Sequence, residues 1–263
     1  MRELPRESNE AGEVHTKSAS LKPEEDAFGQ EILAYLLRKE GVEIVERDDG
    51  FVDYFDRVSY YFSDYSNWIP MEREAIKLAR GRVLDVGCGA GRVCLYLQKH
   101  GLKVTGMDIS PKAIEVCKKR GVTNALVLPI ESIGAFPPDS FDTIVMFGSN
   151  FALFGSHKKA KALLKQMFRI TPRDAVILAV TRDPYATKDP VHLAYHELNR
   201  KRGMMAGQIR MRIRFKQYVG RWFDYLIVSR EEMKHILLGT GWKVKKFIDS
   251  RGSLYTAVIV KEF

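Results

Sequence analysis

The most constraining feature of the sequence is the stretch RVLDVGCGAGRVCLYLQKHGLKVTGMDIS, residues 82–110. A short apolar segment runs into three glycines, Gly87, Gly89 and Gly91. A helical segment then leads to a second apolar segment that ends at Asp108. A strand, a glycine-rich turn, a helix and a second strand are typical of a parallel sheet that holds a nucleotide at the strand-to-helix turn. The stretch therefore predicts an α/β fold with a nucleotide-type ligand.

The same alternation continues along the chain. The apolar pattern predicts helices near 91–100, 111–119 and 157–169, and strands at 82–86, 103–107, 124–128, 142–147 and 175–181. Ser110-Pro111 is a helix-start signal, because proline is favoured at the first helical position. Alternating strands and helices favour a parallel sheet with helices on both faces.

The segments on either side follow other patterns. Residues 1–23 are polar and are expected to be flexible. A helix is predicted before Gly41, a small hairpin is predicted to turn at Asp49-Gly50, and a second helix is predicted over 71–80. After Val180 we expect a helix over 192–201 and two antiparallel strands within 209–229. A capping box from Ser229 to Glu232 should then begin a helix, and two last strands should meet near Arg251-Gly252.

Composition limits the class of protein. Hydrophobic residues make up 45% and charged residues 29% of the 263 residues, which is ordinary for a globular protein. No apolar run approaches the ~20 residues of a membrane span, and the first twenty residues lack the apolar segment of a secretory signal. Three cysteines, Cys88, Cys94 and Cys117, lack metal-binding spacing and give no disulfide framework. We therefore expect a cytoplasmic protein with reduced thiols, no bound metal and no membrane contact.

Charge is distributed unevenly. Residues 1–50 hold 7 Lys and Arg against 13 Asp and Glu, a net charge of −6, whereas the whole chain carries +9. The remainder of the chain therefore carries +15. This positive charge is consistent with an anionic substrate or a nucleic acid as partner. It is equally consistent with a role in solubility alone.

The glycine loop indicates which kind of nucleotide. It reads G-x-G-x-G, and Arg92 stands where the dinucleotide fingerprint G-x-G-x-x-G requires its last glycine. A nucleoside without a pyrophosphate fits better, because Asp108 can accept hydrogen bonds from both ribose hydroxyls. Asp85 is placed to hold the loop or a cationic amino group. The competing interpretations are a nicotinamide dehydrogenase, which Arg92 disfavours, and a domain whose glycines only form a tight turn.

The segments VLDVGCGAGR, VTGMDIS and FDTIVMFG resemble the class I S-adenosylmethionine-dependent methyltransferase family over roughly residues 69–263. The resemblance implies a Rossmann-like α/β fold with a seven-stranded, mostly parallel sheet whose last strand is antiparallel. It implies S-adenosyl-L-methionine as cofactor and S-adenosyl-L-homocysteine as product, bound across the carboxyl ends of the strands. One departure is Pro172-Arg173-Asp174, where the family usually has Pro-Gly-Gly.

The resemblance also implies a cofactor site. Glu131 takes the position that meets the adenine amino group, although its sequence context differs from the common one. Tyr60 and Tyr61 lie in an aromatic segment that many small-molecule members fold over the cofactor, and these rings are expected to touch the sulfonium or the carboxylate. The full set of predicted cofactor-binding residues is Asp85, Gly87, Cys88, Gly89, Gly91, Asp108, Ile109, Glu131, Gly148, Ser149, Tyr60 and Tyr61.

From the same resemblance we divide the chain into two parts. Residues 1–68 form a flexible N-terminus and a helical or hairpin lid, and residues 69–263 form the methyltransferase domain. An antiparallel substrate cap is inserted at about 182–228. A lid and a cap together predict an enclosed pocket for a small molecule.

The expected reaction is in-line transfer of a methyl group to a nucleophilic oxygen, nitrogen or carbon. The Asn/Asp-Pro-Pro-aromatic motif of enzymes that methylate exocyclic base amines is absent after the fourth strand, where the chain reads Gly148-Ser149-Asn150-Phe151. Candidates for a catalytic role are Asn150, His192 and His196, the two histidines as a base or hydrogen-bond partner, and a general base is optional for this chemistry. Candidates for substrate contact are Asp183, Tyr185, Tyr195, Arg210, Arg212 and Trp222.

Two alternatives remain open. Arg210, Arg212 and Arg214 alternate with apolar residues and therefore share one face of a strand. That face would suit an RNA backbone, which makes an RNA methyltransferase the second hypothesis, or it would be the solvated outer face of an antiparallel ribbon. The third hypothesis is a non-catalytic, cofactor-binding partner protein.

Overall fold

The computed structural model describes residues 21–55 and 58–263, so the predictions for residues 1–20 lie outside the described residues. The helices are α1 (Ala27–Arg38), α2 (Pro70–Ala75), α3 (Arg92–Lys99), α4 (Pro111–Lys119), α5 (His157–Arg169), α6 (Pro190–Lys201) and α7 (Arg230–Leu237). The strands are β1 (Glu43–Arg47), β2 (Val52–Phe55), β3 (Arg82–Val86), β4 (Lys103–Asp108), β5 (Ala125–Val127), β6 (Thr143–Met146), β7 (Val176–Arg182), β8 (Gln208–Phe215), β9 (Tyr218–Val219), β10 (Phe223–Leu226), β11 (Trp242–Asp249) and β12 (Leu254–Lys261). Within these residues, none of the helices has the length and apolar content that a membrane span requires.

The main sheet has seven strands in the order β11-β12-β7-β6-β3-β4-β5. Strands β3 to β7 are parallel to one another, and β12 is antiparallel to both β7 and β11. The predicted Rossmann-like sheet with an antiparallel last strand is therefore confirmed. The order reverses between β3 and β6, and in open α/β sheets ligands bind outside the carboxyl ends of the strands at such a point.

Both faces of this sheet are buried, which explains why its strands are apolar without interruption. Leu84 and Ile144 pack on the side that also holds Leu164 of α5. Their sequence neighbours Val83 and Val145 pack on the other side, with Leu97 of α3. Successive side chains of a strand point to opposite faces, so covering both faces requires apolar residues at nearly every position.

Short polar signals set the helix boundaries. The Ser110 hydroxyl accepts a hydrogen bond from Ala113 N at the start of α4, as the Ser-Pro signal predicts. Ser229 and Glu232 form the predicted reciprocal capping box of α7. The helix predicted over 71–80 is shorter: α2 ends at Ala75, and a 3-10 turn, Ile76–Leu78, continues it.

A second, antiparallel sheet joins two distant parts of the chain. Its order is β10-β8-β1-β2, and β9 pairs with the end of β8. Glu46 of β1 lies opposite Arg212 of β8, so the N-terminal hairpin and the insertion after β7 share one sheet. The insertion forms three strands rather than the two expected, because the chain turns at Lys216 (φ 51°) and makes a short β9 before β10.

Helix α1 is fixed beside the carboxyl ends of β3 and β4. The Asp26 carboxylate accepts hydrogen bonds from Gly29 N (3.1 Å) in its own helix and from Lys112 N (2.9 Å) at the start of α4. A Cβ atom on Gly29 would lie 2.2 Å from Ser110 Oγ, so glycine permits this close approach of the two helices. The first helix therefore covers the edge of the sheet where a ligand would bind.

Candidate functional site

The glycine loop between β3 and α3 is a tight, positive-φ turn. Gly87 N and Cys88 N both donate to the Met107 carbonyl, at 2.8 and 3.0 Å, which ties the loop to β4. Gly91 has φ +79°, and a Cβ there would lie 2.7 Å from Val122 Cγ2. Both the backbone angle and the packing therefore require glycine at Gly91.

Asp108 lies where β4 ends, directly beside the loop. One carboxylate oxygen accepts from Gly89 N (3.0 Å) and the other from Ser110 N (2.9 Å). Burial raises the pKa of Asp108 to about 6, although these two bonds oppose the shift. The two oxygens together offer about four acceptor positions, so acceptor capacity remains for two hydroxyl groups of a ligand.

Asp85 lies beneath the loop. It is buried, and the Cys94 thiol of α3 donates to its Oδ2 at 3.2 Å. Burial raises the pKa of Asp85 to about 7. The structure therefore places Asp85 against α3, which fits a role in supporting the loop.

A buried ion pair beside the loop was missed by the sequence analysis. Arg92 Nη2 donates to both carboxylate oxygens of Glu72, at 2.9 and 2.8 Å, and the Tyr60 hydroxyl donates to the same carboxylate at 2.8 Å. Gly148 N also donates to Glu72, at 3.2 Å. The group joins the segment 58–62, α2, α3 and the segment after β6, four parts of the chain that are separate in sequence.

Arg92 also keeps an unused donor. Its guanidinium lies 4.6 Å from the Tyr60 ring centroid and 4.7 Å from that of Trp68, which fixes its orientation. Its Nη1 is buried and has no hydrogen-bond partner among the residues that the structure describes. A buried donor without a partner is costly, and an anionic ligand group would satisfy it. The only hint in the sequence was that Arg92 replaces the last glycine of the dinucleotide fingerprint.

The segment after β6 holds the other side of the loop. Asn150 Nδ2 donates to the carbonyls of Val86 and Gly87, at 2.8 and 2.9 Å. The side-chain amide is therefore engaged in holding the loop, which disfavours a catalytic role for Asn150. Ser149 has φ +67°, and its carbonyl accepts a hydrogen bond from the Tyr225 hydroxyl of β10 at 2.9 Å.

Helix α1 lies over the glycine loop. A Cβ on Gly89 would lie 3.5 Å from Phe28 Cζ. The Phe28 ring meets Tyr61 edge to face, with centroids 5.2 Å apart, and the Tyr61 hydroxyl donates to Glu43 at 2.7 Å. Of the two predicted tyrosines, Tyr60 thus faces the Arg92 side of the loop and Tyr61 faces the second sheet.

Two predicted cofactor residues lie at the far end of the sheet edge. Ile109 follows Asp108 and is 45% exposed, as a residue that borders an open ligand site would be. Glu131 lies in the 3-10 turn Ile130–Ala135 after β5, and its carboxylate forms an ion pair with Lys159. Any contact between Glu131 and an adenine group would have to compete with that lysine.

The predicted substrate residues and histidines of the insertion contact one another, the second sheet and α7. The Tyr195 hydroxyl donates to Asp48 (2.6 Å), and Arg47 Nη1 lies 3.1 Å from His192 Nδ1. His196 is buried, and its ring lies edge to face with that of Tyr185. Asp183 accepts from Tyr185 N, and the Tyr185 hydroxyl donates to Glu232 of α7. Their described partners belong to the second sheet, α6 and α7 rather than to the glycine loop.

The three arginines of β8 are paired on one face. Arg212 and Arg214 both donate to Glu46, and Arg210 donates to Asp224. Arg212 also lies 4.6 Å from the centroid of the Trp222 ring. The pattern predicted a shared face, and the structure adds acidic partners from β1 and β10.

The fold and the site define a class of protein: an α/β protein with a nucleotide-type ligand site where the strand order of a seven-stranded sheet reverses. Comparisons with known proteins indicate the family. A model described as a methyltransferase domain matches residues 84–179. An S-adenosylmethionine-dependent methyltransferase from Bacteroides fragilis, solved with S-adenosyl-L-homocysteine, is similar at a TM-score of 0.80 and 26% identity, over 93% of this chain and 98% of that chain. A methyltransferase from Methanosarcina mazei shares the fold at a TM-score of 0.58 and 20% identity, over 74% of this chain and 98% of that one.

Curated relatives match a shorter region. The ubiquinone biosynthesis O-methyltransferase of Xanthomonas euvesicatoria is 34% identical over 74 residues, which cover 26% of this chain and 31% of that protein. The match thus spans about a third of the relative's length. Together, the domain model over residues 84–179 and the shared fold support the predicted class I S-adenosylmethionine-dependent methyltransferase family. They also support the predicted enzyme class and the predicted cofactor, S-adenosyl-L-methionine.

Proposed function

We propose that this protein transfers a methyl group from S-adenosyl-L-methionine to a small molecule bound between the glycine loop and the second sheet. The observation that carries the proposal is the cover over the loop. Phe28 of α1 lies against Gly89, and Tyr225 of β10 bonds to Ser149. A ligand on the loop would therefore be enclosed by α1 and the second sheet, which act as lid and cap. Enclosed sites suit small substrates and exclude the water that would compete with them.

The residues of the site fit the cofactor. Asp108 has acceptor capacity for the ribose hydroxyls, and Gly87, Gly89 and Gly91 give the ligand close access to the backbone. The buried, unpartnered Arg92 Nη1 supplies a donor for the cofactor carboxylate. When bound, the sulfonium cofactor supplies a methyl group that is already activated for transfer. The protein then has to hold the acceptor in line with that methyl group and keep water away.

Charge pairing supports a small molecule rather than RNA. Arg210, Arg212 and Arg214 would have to leave Asp224 and Glu46 before they met a phosphate backbone. The name of the matched ubiquinone biosynthesis O-methyltransferase also points to a small acceptor. Three free, buried cysteines support the proposed cytoplasmic location, where thiols stay reduced.

The test combines binding and transfer. Calorimetric titration with S-adenosyl-L-homocysteine and with NADH should show binding of the first only. The purified protein is then incubated with methyl-tritiated S-adenosylmethionine and an extract separated into RNA, protein and small-molecule fractions. Label should appear in the small-molecule fraction. Nuclease-sensitive label in RNA would instead favour the arginine face, and Gln at all three arginines should then abolish it. Cofactor binding without label in any fraction would favour the non-catalytic alternative.

A further inference from the structure

The strongest unexplained feature is a pair of carboxyl groups under α1, Glu31, which is fully buried, and Glu43, which is half-buried. Glu31 is 0% exposed, and neither of its carboxylate oxygens has a hydrogen-bond partner within residues 21–55 and 58–263. Burial raises the pKa of Glu31 to about 8, and the nearby Glu43 carboxyl adds to the shift. Burial likewise raises the pKa of Glu43, whose described hydrogen bond comes from the Tyr61 hydroxyl. Burying a carboxyl group without hydrogen-bond partners costs folding free energy. A bound ligand that supplies those partners would offset this cost.

Aromatic rings surround this pair. Phe28 lies three residues before Glu31 on α1, which places both on one face of the helix. Tyr61 touches the Phe28 ring and bonds to Glu43. Tyr225 of β10 is close enough for the Glu43 carboxyl to raise its pKa further, beyond the larger effect of burial. Carboxylates beside aromatic faces are the combination that binds organic cations.

The rings and Glu43 are only partly covered by the protein. Glu43, Tyr61 and Tyr225 are half-buried rather than buried. They come from β1, the segment 58–62 and β10, and the Tyr61 ring packs on α1 through Phe28. Their accessible surface is where a ligand would meet them.

The aromatic rings adjoin the cofactor residues at two points. Phe28 reaches Gly89 of the glycine loop, and Tyr225 bonds to Ser149 in the segment after β6. The carboxyl pair therefore stands on the substrate side of the loop, opposite the Arg92 and Glu72 side. A cation held there would lie next to the bound cofactor.

We propose that the methyl-accepting substrate is a small molecule with a protonated amine, and that Glu31 and Glu43 bind that amine within the aromatic wall. This inference rests on the proposed function and adds the charge class of the substrate. An ammonium group donates up to three hydrogen bonds, which matches the unpartnered oxygens of Glu31 and the free lone pairs of Glu43. A divalent metal fits less well, because it needs about six oxygen ligands, and the described residues contain no cluster of three or more acidic, histidine or cysteine side chains.

The experiment extends the tritium assay. The labelled small-molecule fraction is passed over a cation exchanger at pH 4, where amines are charged and carboxylic acids are largely neutral. Labelled product should be retained. The product is then purified in unlabelled form, its parent amine is identified by mass, and that amine is used as the substrate for steady-state kinetics.

Glu31→Gln and Glu43→Gln should each lower the kcat/KM for this amine about tenfold or more, since each loses a charged partner of the ammonium group. The dissociation constant for S-adenosyl-L-homocysteine should stay within about twofold in both variants, which shows that they are folded. Glu46→Gln is the matched control: Glu46 lies in the same strand as Glu43 but is paired with Arg212, and its kcat/KM should not change.

The outcomes separate this proposal from the proposed function. Labelled product that flows through the exchanger, or wild-type kinetics in both carboxyl variants, would overturn the amine assignment while methyl transfer stands. Cofactor binding without label in any fraction would overturn both. Label retained on the exchanger, together with a lower kcat/KM in both carboxyl variants, would support the amine assignment and the proposed function.

Discussion

Replacing Glu31 by glutamine is expected to make the stability of the protein less dependent on pH. In the folded protein the Glu31 carboxyl has its pKa raised from 4.5 to about 8 by burial and by the nearby Glu43. Below pH 4.5 the side chain is protonated in both the folded and the unfolded chain. Between pH 4.5 and 8 the unfolded chain releases the proton while the folded chain retains it. The folded protein therefore loses stability as the pH rises through this window.

The size of the effect follows from the shift. One pKa unit corresponds to about 1.4 kcal/mol, so the ceiling between pH 5 and pH 7 is roughly 3 kcal/mol of unfolding free energy. Relaxation around the ionised group reduces this, and we expect about 1 to 2 kcal/mol. For a protein of this size that corresponds to a relative change of roughly 3 to 6 °C in the melting temperature.

The assay is thermal or urea unfolding of the wild type and of Glu31→Gln at pH 5, 6 and 7, followed by circular dichroism. The unfolding free energy of the variant, relative to that of the wild type, should increase as the pH rises. Glu46→Gln serves as a control, because the pKa of Glu46 is lowered by Arg212 and its loss should not produce that trend. A stability difference that stays constant across the range would refute the claim that Glu31 is held protonated.

Three further predictions concern the cofactor side. Arg92→Lys should weaken S-adenosyl-L-homocysteine binding about tenfold or more by calorimetry, because lysine lacks the planar fork that meets Glu72 and a ligand together. Asp108→Asn should weaken it by about tenfold, and wild-type affinity should fall as the pH drops through about 6, where the Asp108 carboxylate takes up its proton. Gly91→Ala should lower the unfolding free energy by about 2 to 4 kcal/mol, from backbone strain and the Val122 clash.

Each of these three predictions has a control variant or a result that would contradict it. Gly101→Ala has a similar φ, +78°, but open space around the new methyl group, so it should cost only about 1 to 2 kcal/mol. Equal losses for the two glycines would show that packing at Gly91 is unimportant. Unchanged affinity in Arg92→Lys would remove Arg92 from the cofactor site. Affinity that is independent of pH between 5 and 7 would contradict the titration of Asp108.

Much of the main sheet was predictable from residues close together in the chain. The alternation from residue 82 to residue 181 predicted β3 to β7 and the helices α3, α4 and α5 to within about two residues. These boundaries are local, because apolar spacing, Ser110-Pro111 and the three glycines act within a few positions. The antiparallel last strand came from the family resemblance rather than from the pattern.

The N-terminal hairpin and the insertion after β7 were less predictable. The sequence indicated a hairpin near Asp49-Gly50 and antiparallel strands near 209–229, but nothing local pairs Glu46 with Arg212, 166 residues later. The three arginines therefore suggested an RNA surface until the tertiary structure supplied their acidic partners. Each of the two hairpins fits its own sequence pattern without the other. Which strands pair across such a distance is therefore decided by how the whole elements pack.

The sequence by itself determined the sheet, the glycine loop and Asp108, because these depend on backbone conformation and on the periodicity of neighbouring residues. Only the tertiary structure decided the two charged clusters beside the loop. Arg92 meets Glu72 from another helix, and Glu31, Glu43 and Tyr61 converge from three separate elements. A glutamate in an amphipathic helix has the pattern of a solvent-facing residue. Burial depends on what packs against it, and that is a property of the folded chain.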